Sequence, residues 1–290
     1  MQLNSLARHL ATSTRFVIAN PKMLAGLILL LLLVLIGLLG PLFIDVRLAE
    51  PISVRTNQAP SAEHLLGTDS GGRELLAVFV TATPQTLRMG VLAGLTGVLI
   101  GVTLGLVAGY FGGWADRVIS AITDTMLTIP PLAILLVVAA SVRAVNIEMM
   151  AIIIASLSWM FAARVIRSQV LTLREQSYVQ MARLSGFSNF RVIFREILPN
   201  MLPIAFASFV GAVSGAILAG LGLEVLGLGP QNTPTLGMTI YWALLYSAFS
   251  RGMWWWWGPP IIILVMLFVA LFLISAALDE VANPRLRTSK

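Results

Sequence analysis

The chain has 290 residues, of which 58% are hydrophobic and only 11% are charged, and its mean hydropathy is +0.89. Soluble domains carry roughly a quarter charged residues. This composition leaves too little polar surface to cover a water-soluble globule, so it indicates a membrane protein. The chain contains 0 cysteines, which excludes disulfides, thiolate metal sites and a cysteine nucleophile.

Six apolar runs predict six membrane-spanning helices and one membrane domain. The first run, residues 23–44, is uncharged. At about 1.5 Å per residue it covers roughly 33 Å, slightly more than the roughly 30 Å core of a bilayer. It is too long for the apolar region of a signal peptide and no small-x-small cleavage site follows it, so we expect it to stay as an anchor. The other runs lie near residues 87–110, 118–140, 146–163, 201–223 and 258–278.

The distribution of basic residues predicts the orientation. If the N-terminus is cytoplasmic, 13 of the 19 Lys and Arg residues fall on the inner side, as the positive-inside rule requires. Both termini are then cytoplasmic, and the net charge of +6 needs no nucleic acid to explain it. The inner residues are Arg8, Arg15, Lys22, Arg117, Arg164, Arg167, Arg174, Arg183, Arg191, Arg195, Arg285, Arg287 and Lys290, and the outer ones are Arg47, Arg55, Arg73, Arg88, Arg143 and Arg251.

Local features of the spans predict how they pack. Asp124, near the inner end of the third run, is expected to pair with Arg117 or Arg164, or to be solvated, rather than to mark a pathway. The Ile-Pro-Pro sequence at 129–131 predicts a kink, and the tryptophans at 254–257 predict an interfacial aromatic belt. Small residues at three- and four-residue spacing predict close helix packing of the second run: Gly90, Gly94, Gly97, Gly101, Gly105 and Gly109.

A basic stretch at residues 177–199, which we call the elbow, interrupts the apolar pattern. Ser177 and Gln180 match a capping box, Gly186 suits a helix end, and Ser188 or Asn189 can cap a second helix that Pro199 closes. The second helix carries an apolar stripe at helical spacing, namely Phe190, Ile193, Phe194 and Ile197. Two such short helices need support from the spans or from another protein. The alternative is a positively charged loop that only fixes the topology.

The elbow resembles the cytoplasmic EAA loop of ABC-importer permeases. The resemblance rests on Gln180, Met181, Ala182, Gly186 and the pair Leu198 and Pro199, with matching spacing from the glycine to the Leu-Pro pair. Three positions depart from the pattern, since Gln180 and Met181 replace Glu and Ala, and Glu196 occupies a usually apolar position.

Other motifs resemble the C-type permease subunit of dipeptide and oligopeptide importers. HLLGTDSGGRELL at 64–76 is similar to its His-x-x-Gly-Thr-Asp-x-x-Gly-Arg-Asp motif, with Glu74 in place of Asp. GLVAGYFGGWADRVISAITD (105–124), LGLGPQNTPTLG (226–237), the tryptophan block and DEVANPRLR (279–287) also fit, so the likeness covers about residues 15–287.

The resemblance implies an all-α membrane protein with the type I importer permease fold, a five-helix core plus an N-terminal helix. Residues 1–85 would form the tail, first helix and outer segment, 86–282 the core with coupling helices at 170–199, and 283–290 a cytoplasmic tail. The implied partners are a homologous second permease, two ABC ATPases, an extracytoplasmic substrate-binding protein and membrane lipid, in a prokaryotic plasma membrane. No phosphate-binding loop is present, so no cofactor is expected in this chain, and ATP and Mg would be bound by the ATPases.

Three sets of candidate residues follow. The resemblance implies ATPase coupling by Gln180, Met181, Ala182, Arg183, Gly186, Phe190, Leu198 and Pro199. The small face formed by Ser208, Gly211, Ser214 and Gly215 is a candidate translocation path, with helix packing as the equal alternative. Gly67, Thr68, Asp69, Gly72, Arg73 and Glu74 are candidates for contact with the binding protein, with local capping as the alternative. His9 and His64 are isolated, so no metal or catalytic site is expected.

Two other classes of membrane protein fit the sequence less well. An ion-coupled carrier predicts ionisable residues at the membrane midplane, whereas the span centres here are uncharged. An intramembrane hydrolase needs a nucleophile and a base at one depth, and no span contains His. Among importer substrates, we expect peptides first, with oligosaccharides or nickel complexes as alternatives.

Overall fold

The computed structural model describes residues 20–142 and 145–282, and within these ranges the regular structure is helical. The elbow lies at one end of the helix bundle, the elbow end, and the opposite end is the far end. The α-helices are α1 (Pro21–Phe43), α2 (Leu75–Phe111), α3 (Gly113–Thr128), α4 (Pro131–Ala140), α5 (Ile147–Arg174), α6 (Ser177–Leu184), α7 (Asn189–Val192), α8 (Leu198–Val225), α9 (Leu236–Leu245) and α10 (Trp254–Ala282), with a 3₁₀ turn at Val46–Ala49 and a π-helical turn at Ile193–Ile197.

The predicted spans are present. Five helical stretches are long and apolar enough to cross a membrane, and the bent pair α3 and α4 makes a sixth when counted as one span. Some residues named above lie outside the described ranges: Arg8, His9, Arg15, Arg143, Arg285, Arg287 and Lys290.

The glycines of α2 bring it against two other helices, as their spacing predicts. Cβ atoms added at Gly90 or Gly94 would collide with Ile217 or Val213 of α8. Towards the elbow end, the same helix approaches α5, where an added Cβ at Gly101 would lie 2.7 Å from the backbone oxygen of Trp159. Because such spacing leaves no room for a side chain, α2 forms the centre of the bundle.

Helix α1 packs on the outside of this bundle. Asn20 caps it by accepting hydrogen bonds from the backbone N–H groups of Lys22 and Met23, as expected for an Asn at the N-cap. Gly26 lets α1 approach the backbone of α10 at Ala270. At the elbow end, Lys22 Nζ and the Asn20 amide both contact the carboxylate of Glu280, at 2.6 and 3.1 Å.

The third predicted span is broken. Helices α3 and α4 meet at an angle of 84°, because Pro130 and Pro131 interrupt the helical hydrogen bonds. The kink expected from the Ile-Pro-Pro sequence is therefore confirmed, and it is sharp enough to separate two helices.

Two spans begin earlier in the sequence than predicted. Helix α2 starts at Leu75 rather than near residue 87, because its first turns are buried by α9 and by residues 44–74, the far-end segment, rather than by lipid. Helix α10 starts at Trp254, so the tryptophan block lies within its first turns. Trp256 is buried and stacks on Tyr246, and only Trp254 of the four is largely exposed.

Candidate functional site

The elbow consists of α6, a four-residue turn, α7, the π-helical turn and the first two residues of α8, and it differs in detail from the predicted helix pair. Gly186 has φ +78, the left-handed conformation predicted for it. Ser188 accepts a hydrogen bond from the Arg191 N–H and so caps α7. The predicted capping box is wrong by one residue: Gln176 occupies the N-cap of α6 without a side-chain hydrogen bond, and the side chain of Gln180 donates to the Glu175 carbonyl instead.

The second elbow helix does not end before the fifth span. A π-helical turn at Ile193–Ile197 joins α7 to α8, so one continuous helical stretch runs from Asn189 to Val225. The prediction that Pro199 closes the helix is therefore wrong. Pro199 lies at the start of α8, and the widened π turn reduces the clash that proline causes in a regular helix.

Tyr110, at the elbow end of α2, holds the elbow against the bundle. Its ring is buried, its hydroxyl donates a hydrogen bond of 2.9 Å to Asn189 Oδ1, and the Arg183 guanidinium lies 4.6 Å from its ring centroid. Such a cation–π contact is favourable. The underside of the elbow contributes Val179, Ala182, Val192 and Ile197 to a core shared with Ile166 and Val170 of α5.

The opposite surface of the elbow is apolar and uncovered. The exposed fractions are 65% for Met181, 85% for Leu184, 70% for Phe190 and 50% for Phe194, and the rings of Phe190 and Phe194 lie 4.3 Å apart. The side chains of the predicted apolar stripe therefore do not share one environment, since its two phenylalanines are exposed and Ile197 is buried against the bundle. Exposed apolar side chains grouped around a ring pair on a basic segment are typical of a protein contact surface.

The remaining elbow candidates occupy different positions. Ala182 is buried on the underside of α6. Gln180, Arg183, Gly186 and Pro199 are exposed, and Leu198 is half-buried.

Ion pairs connect the helices next to the elbow. Asp124 pairs with Arg164 at 2.5 Å, which confirms one of the two predicted partners. Asp116 of α3 forms a two-pronged pair with Arg167 of α5, the geometry that guanidinium and carboxylate groups favour. The Arg174 guanidinium donates to the Gly109 carbonyl at 3.0 Å. These contacts tie α2, α3 and α5 into one unit at the elbow end.

The small face of α8 is open within the described part of the chain. Cβ atoms added at Gly211 or Gly215 would meet no atom within 4 Å. Ser208 is partly exposed, and Ser214 donates a hydrogen bond to the Val210 carbonyl. Helix packing inside this chain therefore does not explain these small residues, and the face is available to a partner or to a pathway.

The far-end candidates hold the far-end segment together. Asp69 Oδ1 accepts from the N–H groups of Gly71 and Arg73, both at 2.8 Å, and burial raises the pKa of Asp69 against the opposing effect of these contacts. Burial also raises the pKa of Glu74. Gly67 and Gly72 have positive φ, and the buried Thr68 hydroxyl donates to the Arg55 carbonyl at 2.6 Å.

Two residues escaped the sequence prediction. Tyr110 carries no distinguishing pattern apart from its place before the Gly112 and Gly113 turn. Glu224 is fully buried at the far end of α8, where its side chain packs against Gly229 and Gly237; only its position next to a glycine-rich turn hinted at this. Among residues 20–142 and 145–282, no three His, Asp or Glu side chains are grouped to hold a metal.

An anchored elbow with exposed apolar side chains and an open small-residue face, on a multi-pass helical bundle, are features expected of a membrane subunit that works within a larger assembly. Comparison with known proteins agrees. The family model for the binding-protein-dependent transport system inner membrane component matches residues 101–288, and the chain belongs to this family.

Individual relatives are similar over most of the chain. The dipeptide transport system permease protein DppC of Alkalihalophilus pseudofirmus is 34% identical over 73% of this chain and 69% of its own length. The oligopeptide transport system permease protein OppC of Lactococcus lactis subsp. cremoris is 30% identical over 78% and 76%. A chain of the inward-facing MetNI methionine ABC transporter has a TM-score of 0.54 at 19% identity, covering 69% of this chain and 92% of that one. This likeness shows a shared fold.

Proposed function

We propose that this chain is the permease subunit of an ATP-driven, binding-protein-dependent importer of dipeptides or oligopeptides. The family membership supports the importer over an ion-coupled carrier or a hydrolase. The names of the relatives, dipeptide and oligopeptide permeases, support peptides over oligosaccharides and nickel complexes.

The elbow end faces the cytoplasm of a prokaryotic cell in this proposal. The support is the positive-inside rule, since eight of the described basic residues gather at the elbow end: Lys22, Arg117, Arg164, Arg167, Arg174, Arg183, Arg191 and Arg195. The far-end segment then faces outward, towards a substrate-binding protein. The open face of α8 lines half of the translocation path, and a homologous permease supplies the other half.

Coupling follows from how the elbow is attached. An ATPase that binds the exposed Phe190 and Phe194 and then moves would displace α7, which is continuous with α8 through the π turn. The same displacement reaches α2 through the hydrogen bond between Asn189 and Tyr110. Rigid helices joined in this way transmit a rigid-body movement. ATP and Mg are bound by the ATPase subunits, not by this chain.

The single observation that carries the proposal is the apolar tip on an elbow clamped to the bundle. Phe190→Ser with Phe194→Ser removes the two exposed aromatic rings from this surface, at positions where substitution costs little stability. Loss of each ring is worth about 2 kcal/mol, or roughly 30-fold in affinity. We expect the ATPases to be lost on purification and peptide uptake to stop.

The matched control is Phe249→Ser at the far end, because its side chain is 69% exposed, close to the 70% of Phe190. This variant should retain the ATPases. Normal ATPase retention and uptake by the double elbow variant would contradict the proposed coupling.

A further inference from the structure

A cavity at the far end has the size of a small-molecule site. It encloses about 340 Å³ between the 3₁₀ turn, the first turns of α2, the loop at residues 230–234 and α9. Ligand pockets in proteins range from roughly 300 to 1,000 Å³, so this far-end pocket suits a compact ligand rather than a long peptide. Its walls come from three separate parts of the sequence, so the pocket exists only in the folded chain.

Arg73 supplies a fixed positive charge in the wall of the far-end pocket. Its side chain is only 18% exposed, and its guanidinium lies 5.8 Å from the ring centroid of Trp242, also in the wall. The nearest carboxylate oxygen, Asp69 Oδ2, is 3.9 Å from Arg73 Nε, too far for a hydrogen bond. Asp69 instead uses its other oxygen to accept from backbone N–H groups.

Arg73 Nε is therefore buried without a hydrogen-bond partner among residues 20–142 and 145–282. A guanidinium held in this way prefers a planar carboxylate, which it can bind with two parallel hydrogen bonds. The chemistry of this wall favours a ligand with a carboxylate.

Glu50 supplies a negative charge to the same far-end pocket. Its side chain is exposed, and its carboxylate forms no salt bridge within the described ranges. The hydroxyls of Thr81 and Thr239, also in the wall, donate to the Ala77 and Thr235 carbonyls. Because their protons are used, these hydroxyls can only accept from a ligand, as suits an ammonium or amide N–H group.

We propose that the far-end pocket binds a zwitterionic ligand of the amino acid or dipeptide class, with its carboxylate on Arg73 and its ammonium on Glu50. Trp242 provides an apolar wall for the short body between the two charges. The site itself follows from the structure, whereas its use in peptide import rests on the proposed function. It would then hold a short peptide at the outer mouth of the permease.

The test uses four probes that differ only in their end groups. Alanyl-alanine carries both charges, its N-acetyl derivative only the carboxylate, its amide only the ammonium, and the N-acetyl amide neither. Each is titrated calorimetrically into the full chain in lipid nanodiscs. We expect alanyl-alanine to bind at least about tenfold more tightly than either singly charged probe, because each charge-assisted hydrogen bond is of that order.

Variants separate the two contacts. Arg73→Gln should weaken, about tenfold, only the probes with a free carboxylate, and Glu50→Gln only those with a free ammonium. A merely misfolded site would weaken all probes alike. Arg55→Gln and Glu63→Gln, exposed and outside the far-end pocket, should leave all four affinities unchanged.

The proposal is overturned if alanyl-alanine does not bind, if the N-acetyl amide binds equally well, or if either variant weakens all four probes alike. The titration contains neither ATPases nor binding protein, so its failure leaves the elbow test untouched. Conversely, an elbow variant that keeps its ATPases would overturn the coupling role while the far-end pocket stands.

Discussion

The close approach of α2 to α5 makes Gly101→Ala a quantitative test of the bundle. The added Cβ would lie 2.7 Å from both Ala162 Cβ and the Trp159 oxygen. Ordinary contact begins at 3.4 Å, so the helices must separate by about 0.7 Å, the difference 3.4 − 2.7. One of these atoms is backbone and cannot rotate away. Overpacking of this kind costs about 1–3 kcal/mol.

Helix propensity opposes this cost, since alanine favours a helix by about 1 kcal/mol over glycine. Gly211→Ala, on the open face of α8, gains the same propensity without a collision. Comparing the two variants cancels the gain in helix propensity. The free energy of unfolding of Gly101→Ala should therefore be about 1–3 kcal/mol lower than that of Gly211→Ala. At 2 kcal/mol this is roughly a 30-fold change in the unfolding equilibrium.

The assay is reversible unfolding of the purified chain in mixed detergent micelles, followed by circular dichroism. If Gly101→Ala proved as stable as Gly211→Ala, the helices would not be in the contact described, and the argument from glycine spacing would be refuted.

Three further predictions concern the elbow and the far-end segment. Tyr110→Phe removes the hydrogen bond to Asn189, worth about 1 kcal/mol, and should speed limited proteolysis of the elbow about fivefold. Gly186→Pro is incompatible with φ +78 and, like deletion of residues 178–186, should leave the protein inserted while uncoupling ATP hydrolysis from uptake. Burial raises the pKa of Asp69 above its ordinary 3.8, so the folded protein binds more protons than the unfolded protein just above pH 3.8. Its stability should therefore fall as the pH rises through that interval. Asp69→Asn should make the unfolding temperature less dependent on pH there.

Each of these predictions has a discriminating outcome. Tyr246→Phe, at the far end, should leave the rate of elbow proteolysis unchanged. Equal proteolysis rates for Tyr110→Phe and the unmodified chain would show that the hydrogen bond between Tyr110 and Asn189 does not hold the elbow in place. Normal uptake by Gly186→Pro would refute the need for its backbone conformation. An Asp69→Asn variant with an unaltered pH slope would show that this carboxyl does not cause the dependence, leaving Glu74, whose pKa burial also raises.

Much of the membrane architecture could be predicted from local sequence. Apolar runs predict spans because the hydrocarbon core excludes charge, and the glycine spacing of α2 indicates close packing because small residues let backbones approach. The family resemblance was likewise visible in short motifs and is confirmed by the family model. Span ends were less predictable, since protein rather than lipid covers the first turns of α2.

The elbow illustrates what local pattern cannot decide. That a basic segment with a central glycine interrupts the membrane helices could be predicted from the residues alone, because charge and a glycine suited to the left-handed conformation are properties of single positions. The folded structure was needed to find that Tyr110 holds this segment against the bundle, that its phenylalanines are exposed, and that Arg73 and Glu50 line one cavity. Each of these facts depends on contacts between residues distant in the chain, which no local periodicity encodes.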